Sequence, residues 1–194
     1  MIDSLIVFNN YLFFRANNQA VGYELYKSDG TEQGTVLVKD IFPGSDPAGP
    51  SFFSILNNEL YFIATNGING IELWKTDGTE AGTIMAFDLY PGAQSSINSM
   101  YSYNGLLYLN ARNATSKYQL YISDGTLAGT RLVKTIDAGG TFGSLFVLSI
   151  GYNNEVYFYA SGNNGANGYE LWKTDGTEAG TIMVKDICPG LLMN

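Results

Sequence analysis

The sequence contains no histidine and a single cysteine, Cys188. Without histidine the usual general base near neutral pH is missing, and with it Ser-His and Cys-His nucleophile pairs and every imidazole-ligated metal site. One thiol can form no disulfide within the chain and no thiolate metal cluster. Basic residues are scarce as well: 10 Lys and Arg stand against 18 Asp and Glu, a formal charge of −8. With no Lys/Arg stripe to offset it, such a surface repels phosphate backbones and anionic membranes, so no nucleic-acid partner is expected. No apolar run approaches the ~18 residues of a membrane span, so no membrane insertion is expected. The segment from Met1 to Asn10 lacks a basic start and a long apolar run, and no signal peptide is read there.

Glycine and tyrosine are plentiful, 23 and 14 residues, and aromatic residues make up 14% of the chain. That composition suits a turn-rich, all-β protein. A chain of 194 residues, 45% hydrophobic, can bury a sizeable core.

The string Glu72-Leu73-Trp74-Lys75-Thr76-Asp77-Gly78-Thr79-Glu80-Ala81-Gly82-Thr83 returns almost unchanged as Glu170 to Thr181. Looser copies run from Glu24 to Thr35 and from Gln119 to Thr130. The aspartates Asp29, Asp77, Asp124 and Asp175 are 48, 47 and 51 residues apart. A period of that size marks an array of supersecondary units, here one repeat domain over 1–194 with units at about 4–44, 51–92, 98–140 and 145–190.

Each unit reads as four strands. In the second copy, Phe52 to Leu56 and Leu60 to Ala64 flank Asn57-Asn58, a two-residue hairpin turn because asparagine tolerates positive φ. Asn9-Asn10, Asn104-Gly105 and Asn153-Asn154 occupy the same point in the other copies. A third strand follows at Ile71 to Thr76 and a fourth at Thr83 to Asp88. The second strand is apolar on both faces, as a covered sheet requires, while the fourth carries charge near its end, as an edge does. Blades stacked face to face satisfy this pattern, so a β-propeller of four-stranded antiparallel blades is expected. The four copies fit a closed four-bladed propeller or half of an eight-bladed ring made by two chains. The second solution implies a homodimer through open blade faces.

The twelve-residue signature, with the Val38-Lys39-Asp40-Ile41 and Val184-Lys185-Asp186-Ile187 tails, resembles the bacterial ELWxxDGT repeat. The first copy departs from it at Tyr26, and the third at Gln119, Tyr121, Leu127, Thr135 and Ala138. The resemblance implies a propeller-like module of a cell-surface or secreted protein. It carries over no catalytic residues.

Three groups of residues could carry chemistry. The turns Asp29-Gly30, Asp77-Gly78, Asp124-Gly125 and Asp175-Gly176 look like the Asp-box of sialidase-type propellers. Their carboxylates suit calcium, but aspartate equally caps its own turn while glycine supplies positive φ. The structural role is expected, with no cofactor, and calcium stays as the alternative. Trp74 and Trp172, with Tyr26 and Tyr121 at equivalent positions, could stack on a protein or carbohydrate ligand or fill the space between blades. Glu24, Glu72 and Glu170 recur beside Lys27, Lys75 and Lys173, and surface Lys-Glu contacts are expected of them. A glycosidase needs two carboxylates placed across a substrate, and repetition argues against one. Its carboxylate-binding cluster would have only Arg15, Arg112 and Arg131 to draw on. Asn113-Ala114-Thr115 fits a glycosylation pattern by coincidence, and Ser161 to Gly168 reads as a loop. The expected function is therefore non-enzymatic binding, adhesion or structure. A carbohydrate-active hydrolase and a calcium-stabilised module are the alternatives. A specific site is best sought where the copies disagree, in the third unit and the inter-blade loops.

Overall fold

The computed structural model describes residues 2–18, 20–112, 118–136, 149–161 and 168–187. The expectations placed on Asn113 to Thr115, on most of Ser161 to Gly168, on Ala138 and on Cys188 lie outside the described residues.

The protein is all-β, built from four four-stranded antiparallel sheets of the propeller-blade type. Strands β1 (Ile2–Phe8), β2 (Tyr11–Asn17), β3 (Tyr23–Ser28) and β4 (Val36–Lys39) form the first sheet. The second contains β5 (Ser51–Leu56), β6 (Glu59–Thr65), β7 (Ile71–Thr76) and β8 (Ile84–Phe87). The third contains β9 (Ile97–Tyr103), β10 (Leu106–Ala111), β11 (Gln119–Ser123) and β12 (Arg131–Lys134). The fourth contains β13 (Ser149–Tyr152), β14 (Glu155–Ser161), β15 (Tyr169–Thr174) and β16 (Ile182–Lys185). In every sheet the spatial order of strands is the chain order. The charged fourth strand is thus an edge, hydrogen-bonded to a neighbouring strand on one side only.

The first two strands of each sheet meet in a tight hairpin. Asn57 and Asn58 have φ of 49° and 59°, and Asn9, Asn10, Asn104, Asn153 and Asn154 share that left-handed conformation. Asparagine and glycine are the residues that enter it at least cost, which is why the four copies agree here.

The chain divides into two compact units, Met1–Ile97 and Asn98–Asn194. In the first unit, Phe8, Phe13 and Leu25 of the first sheet pack with Leu60, Phe62, Ala64 and Trp74 of the second. In the second unit, Tyr108, Leu120 and Ile122 of the third sheet pack with Val156, Phe158 and Ala160 of the fourth. The same face of the leading sheet is used in both units, and the same opposite face of the following one. Cations on the leading sheet reinforce each pairing. Lys27 Nζ donates to the Gly78 carbonyl at 2.8 Å, and Arg131 Nη2 to the Gly176 carbonyl at 2.9 Å. Lys39 Nζ reaches the Glu80 carbonyl at 3.4 Å, and Lys134 Nζ the Thr181 carbonyl at 2.7 Å.

Candidate functional site

The repeated Asp-Gly-Thr turn is closed by its own side chains. In the second sheet Asp77 Oδ1 accepts from Thr79 N and Thr79 Oγ1, both at 2.8 Å. Thr79 Oγ1 in turn accepts from Gly82 N at 2.9 Å, and Thr83 Oγ1 donates to the Thr79 carbonyl. Thr76 Oγ1 receives the Gly78 amide and shares a hydrogen bond with Thr83 Oγ1 at 2.7 Å. Asp29, Asp124 and Asp175 make the same pair of contacts with Thr31, Thr126 and Thr177. A methyl group at Gly82 would lie 2.1 Å from Asp77 Oδ1, so the second glycine of the signature exists to seat the carboxylate. The donors hold all four aspartates below the usual carboxylate range, with the threonine hydroxyl and amide as the main causes.

The glutamate that opens the signature has a different task. Glu24 and Glu72 are fully buried, and Glu170 nearly so. Glu24 accepts from the amides of Ile41 at 2.8 Å and of Phe42 and Ala48 at 3.3 Å. Glu72 accepts from the amides of Leu89 and Ser96, both at 3.2 Å, and from the Ser96 hydroxyl. Glu170 accepts from Ile187 N at 3.0 Å, and in the third sheet Gln119 Oε1 takes the equivalent Ile136 N at 2.8 Å. Each side chain therefore ties the connection leaving the fourth strand back to the third. Burial pushes the Glu24 and Glu72 carboxyls up to about 7, against the opposing pull of the amide donors.

The expected surface contacts between these glutamates and the following lysines are not formed. Glu72 and Lys75 are three residues apart on one strand, so they point to opposite faces. Lys75 pairs instead with Glu59 of β6 at 2.7 Å, and Lys173 with Glu155 of β14 at 2.9 Å. The first sheet has Tyr11 at the position of Glu59, and there Lys27 lies 4.9 Å from the Tyr11 ring centroid.

The four aromatic positions proposed for ligand stacking fall mainly within packing. Trp74 is 6% exposed and belongs to the core of the first unit, and Tyr121 is 7% exposed. Trp172 packs against the core of the second unit, and Tyr26 stacks on Phe14 with centroids 6.0 Å apart. A sugar face needs an open ring, so burial counts against Trp74 and Tyr121 as stacking surfaces. Arg15 and Arg112 lie over the rings of Tyr23 and Tyr118, and Arg131 bridges the third and fourth sheets. The three arginines are used separately.

One feature of the first strands, β1 and β5, escaped sequence reasoning. Ser4 and Phe52 have φ of 55° and 54°, and the strand register breaks at both points. A bulky residue such as phenylalanine adopts this conformation only when its surroundings impose it, and such strain gathers at ligand-contacting positions. Ser4, Leu5, Ser51, Phe52 and Phe53 together line a shallow depression of about 250 Å³.

No protein-family model matches the sequence, and no curated protein matches it. Solved structures do. A puromycin hydrolase complexed with PGG aligns with a TM-score of 0.64 at 15% identity, covering 95% of this chain and 29% of that one. TolB from Acinetobacter baumannii aligns with a TM-score of 0.55 at 12% identity, covering 90% and 41%. The computationally designed protein Ika8 aligns with a TM-score of 0.52 at 14% identity, covering 95% and 48%. The chain spans less than half the length of each of these structures. At such identities the similarity is one of fold, and the fold it supports is the β-propeller.

Proposed function

We propose that this chain is a non-enzymatic binding module, a propeller segment of a cell-surface or secreted protein that presents its loops and first strands to a protein or carbohydrate ligand. The observation that carries this reading is where the recurring carboxylates go. Glu24, Glu72 and Glu170 hold backbone amides in the interior, Asp29, Asp77, Asp124 and Asp175 close their own turns, and Glu59 and Glu155 neutralise lysines. Acid–base catalysis needs carboxyl groups facing a substrate, and these face their own scaffold. The depression at Ser51, Phe52 and Phe53 offers small hydroxyls beside aromatic rings, a combination suited to a sugar or an aromatic peptide side chain. The assignment to the cell surface or to secretion rests on the resemblance to the ELWxxDGT repeat.

The test is a glycan array and a peptide array run beside hydrolysis of generic aryl glycosides. Binding without turnover is expected. Glycoside hydrolysis that stays with the protein through purification would overturn the reading.

We further propose that the turns need no calcium. Asp77 Oδ1 already accepts an N–H and an O–H, and among the described residues no cluster of three or more His, Cys, Asp or Glu side chains stands ready to hold a metal ion. Thermal unfolding in EDTA and in millimolar calcium is expected to give the same midpoint. A rise of several degrees with calcium would reinstate the metal.

A further inference from the structure

We propose that Glu72 and Asp88 form a proton-operated latch: the pair keeps one proton while the connection leaving the second sheet is docked, and losing it releases residues 88–96 from the third strand. Glu24 and Asp40 form the same latch on residues 40–48 of the first sheet. Both latches lie wholly within the first compact unit.

The strand ladders set the two carboxyls side by side. Leu73 of β7 pairs with Phe87 of β8, so the next residues outward, Glu72 and Asp88, stand opposite each other. Leu25 pairs with Lys39 in the first sheet and places Glu24 against Asp40 in the same way. Like charges directly opposite each other destabilise a sheet even in water. Here Glu72 is fully buried, and Asp88 Oδ1 is buried with no hydrogen-bond partner. Among the described residues no cation pairs with either carboxyl. Lys75 turns to the other face and meets Glu59. Lys27 and Lys39, which the first sheet brings against the second, end on the Gly78 and Glu80 carbonyls. Two such carboxyls do not both ionise readily, so one proton stays with the pair. Burial first, and the facing aspartate with it, push the Glu72 and Glu24 carboxyls up to about 7.

The third sheet supplies the contrast. Leu120 pairs with Lys134, which puts Gln119 and Thr135 at these two positions. Neither side chain ionises, yet Gln119 Oε1 still takes the Ile136 amide at 2.8 Å. Both acids are absent together, as befits residues that act as a pair. The fourth sheet has Glu170 and Asp186 there, but its connection beyond Ile187 lies outside the described residues.

Each latch holds a connection between sheets. Glu72 receives the amides of Leu89 and Ser96, and Glu24 those of Ile41, Phe42 and Ala48. The Ala48 carbonyl in turn receives Thr65 N of the second sheet at 3.0 Å, so a released connection loosens the joint between the two sheets. When the proton leaves for bulk water, opening lets both carboxylates hydrate and separate. The latch is therefore closed in mild acid and opens as pH rises through neutrality.

Amide hydrogen exchange of the full chain, read residue by residue by NMR, tests this. Between pH 5 and pH 7.5 the protection of the Leu89 and Ala48 amides, corrected for intrinsic exchange, should fall at least about tenfold. At pH 7.5 Leu89 should also exchange at least about tenfold faster than Phe62 in the centre of the same sheet, because the connection opens without the sheet. Glu72→Gln should abolish the fall at Leu89 and leave that at Ala48, which shows that the variant is folded. Asp88→Asn should make the fall at Leu89 at least about threefold smaller, again sparing Ala48. Leu89 and Phe62 exchanging together at every pH would overturn the latch, since only global unfolding would then expose the connection. A fall at Leu89 that Asp88→Asn leaves unchanged would overturn the pairing, because burial alone would account for it.

Discussion

Replacing Glu72 with alanine is expected to cost about 3–5 kcal/mol, a large share of the ~5–15 kcal/mol by which a domain is normally stable. The carboxylate is fully buried and receives the amides of Leu89 and Ser96 together with the Ser96 hydroxyl. Alanine would leave the Leu89 amide and the Ser96 hydroxyl without an acceptor, the Ser96 amide with the Ile71 carbonyl alone, and a cavity where the carboxyl stood. For a chain of this length the loss corresponds to a fall of roughly 10 °C in Tm. Glu72→Gln should cost only about 1 kcal/mol, because the protein already uses that solution: Gln119 accepts Ile136 N at 2.8 Å in the third sheet. Equal losses for alanine and glutamine would show that charge, not the acceptor, holds the connection.

The buried glutamates also make stability depend on pH. Glu24 and Glu72 titrate near 7 in the folded chain, above the ordinary value of 4.5 that they regain on unfolding. The unfolded chain therefore releases these protons first as pH rises. Their contribution to stability is whole below pH 4.5 and is lost as pH climbs to about 7. The turn aspartates and Glu59 and Glu155 act in the opposite sense. Held low by their donors, they stabilise above the ordinary carboxylate range and lose that contribution in acid. The denaturation midpoint in urea should thus rise from pH 8 to pH 5 and fall again in acid. Glu72→Gln should flatten the upper arm and leave the acid arm in place. An upper arm unchanged in this variant would remove Glu72 as its source.

Gly70→Ala is the second large effect expected. Gly70 has φ of +77°, and a methyl group there would lie 2.5 Å from both Gln94 C and Ser95 N. The obstacle is backbone, so it cannot rotate away, and moving it breaks the bond from Ser96 N to the Ile71 carbonyl at 3.1 Å. It also withdraws Ser96 from Glu72. A loss of at least about 3 kcal/mol follows from the clash and the positive φ together. Gly22 meets the Asp46 carbonyl oxygen at the same 2.5 Å, and Gly22→Ala should behave alike. Gly92→Ala provides the control. Its φ is +137° but nothing lies within 4 Å, so only the conformational cost of roughly 1–3 kcal/mol remains. If Gly70→Ala costs no more than Gly92→Ala, the loop yields freely and the close approach is unimportant.

Much of the fold was legible because it is dictated by local chemistry repeated four times. Paired asparagines set the hairpins, and both-faced apolar runs mark the inner strands. The signature Ser/Thr-Asp-Gly-Thr-x-x-Gly-Thr spells out one turn in which every named residue has a partner. The glutamates were harder to place. A charged residue in a strand next to lysine reads as a surface pair, and only alternation reveals that Glu72 and Lys75 face opposite ways. What Glu72 binds lies 17 and 24 residues further on, beyond any local pattern. The reversal of φ at Ser4 and Phe52 was hidden for a related reason, since tertiary packing imposes it against the preference of the residues themselves. Whether an aromatic ring such as Trp74 meets a ligand or a neighbouring sheet also depends on what is stacked beside it.

The chain-order arrangement of strands shapes how the protein is made. Every hairpin, and every glutamate tie back to a third strand, closes over a short stretch of sequence, so a sheet can form soon after its last strand leaves the ribosome. Synthesis then proceeds as addition of finished parts. Within each compact unit the leading sheet waits with its face uncovered until the following sheet has been translated. A pause in translation between repeats leaves that face open for as long as the pause lasts. Codon choice in the segments between sheets is thus a physical variable for this chain, acting on aggregation during synthesis without changing a single residue.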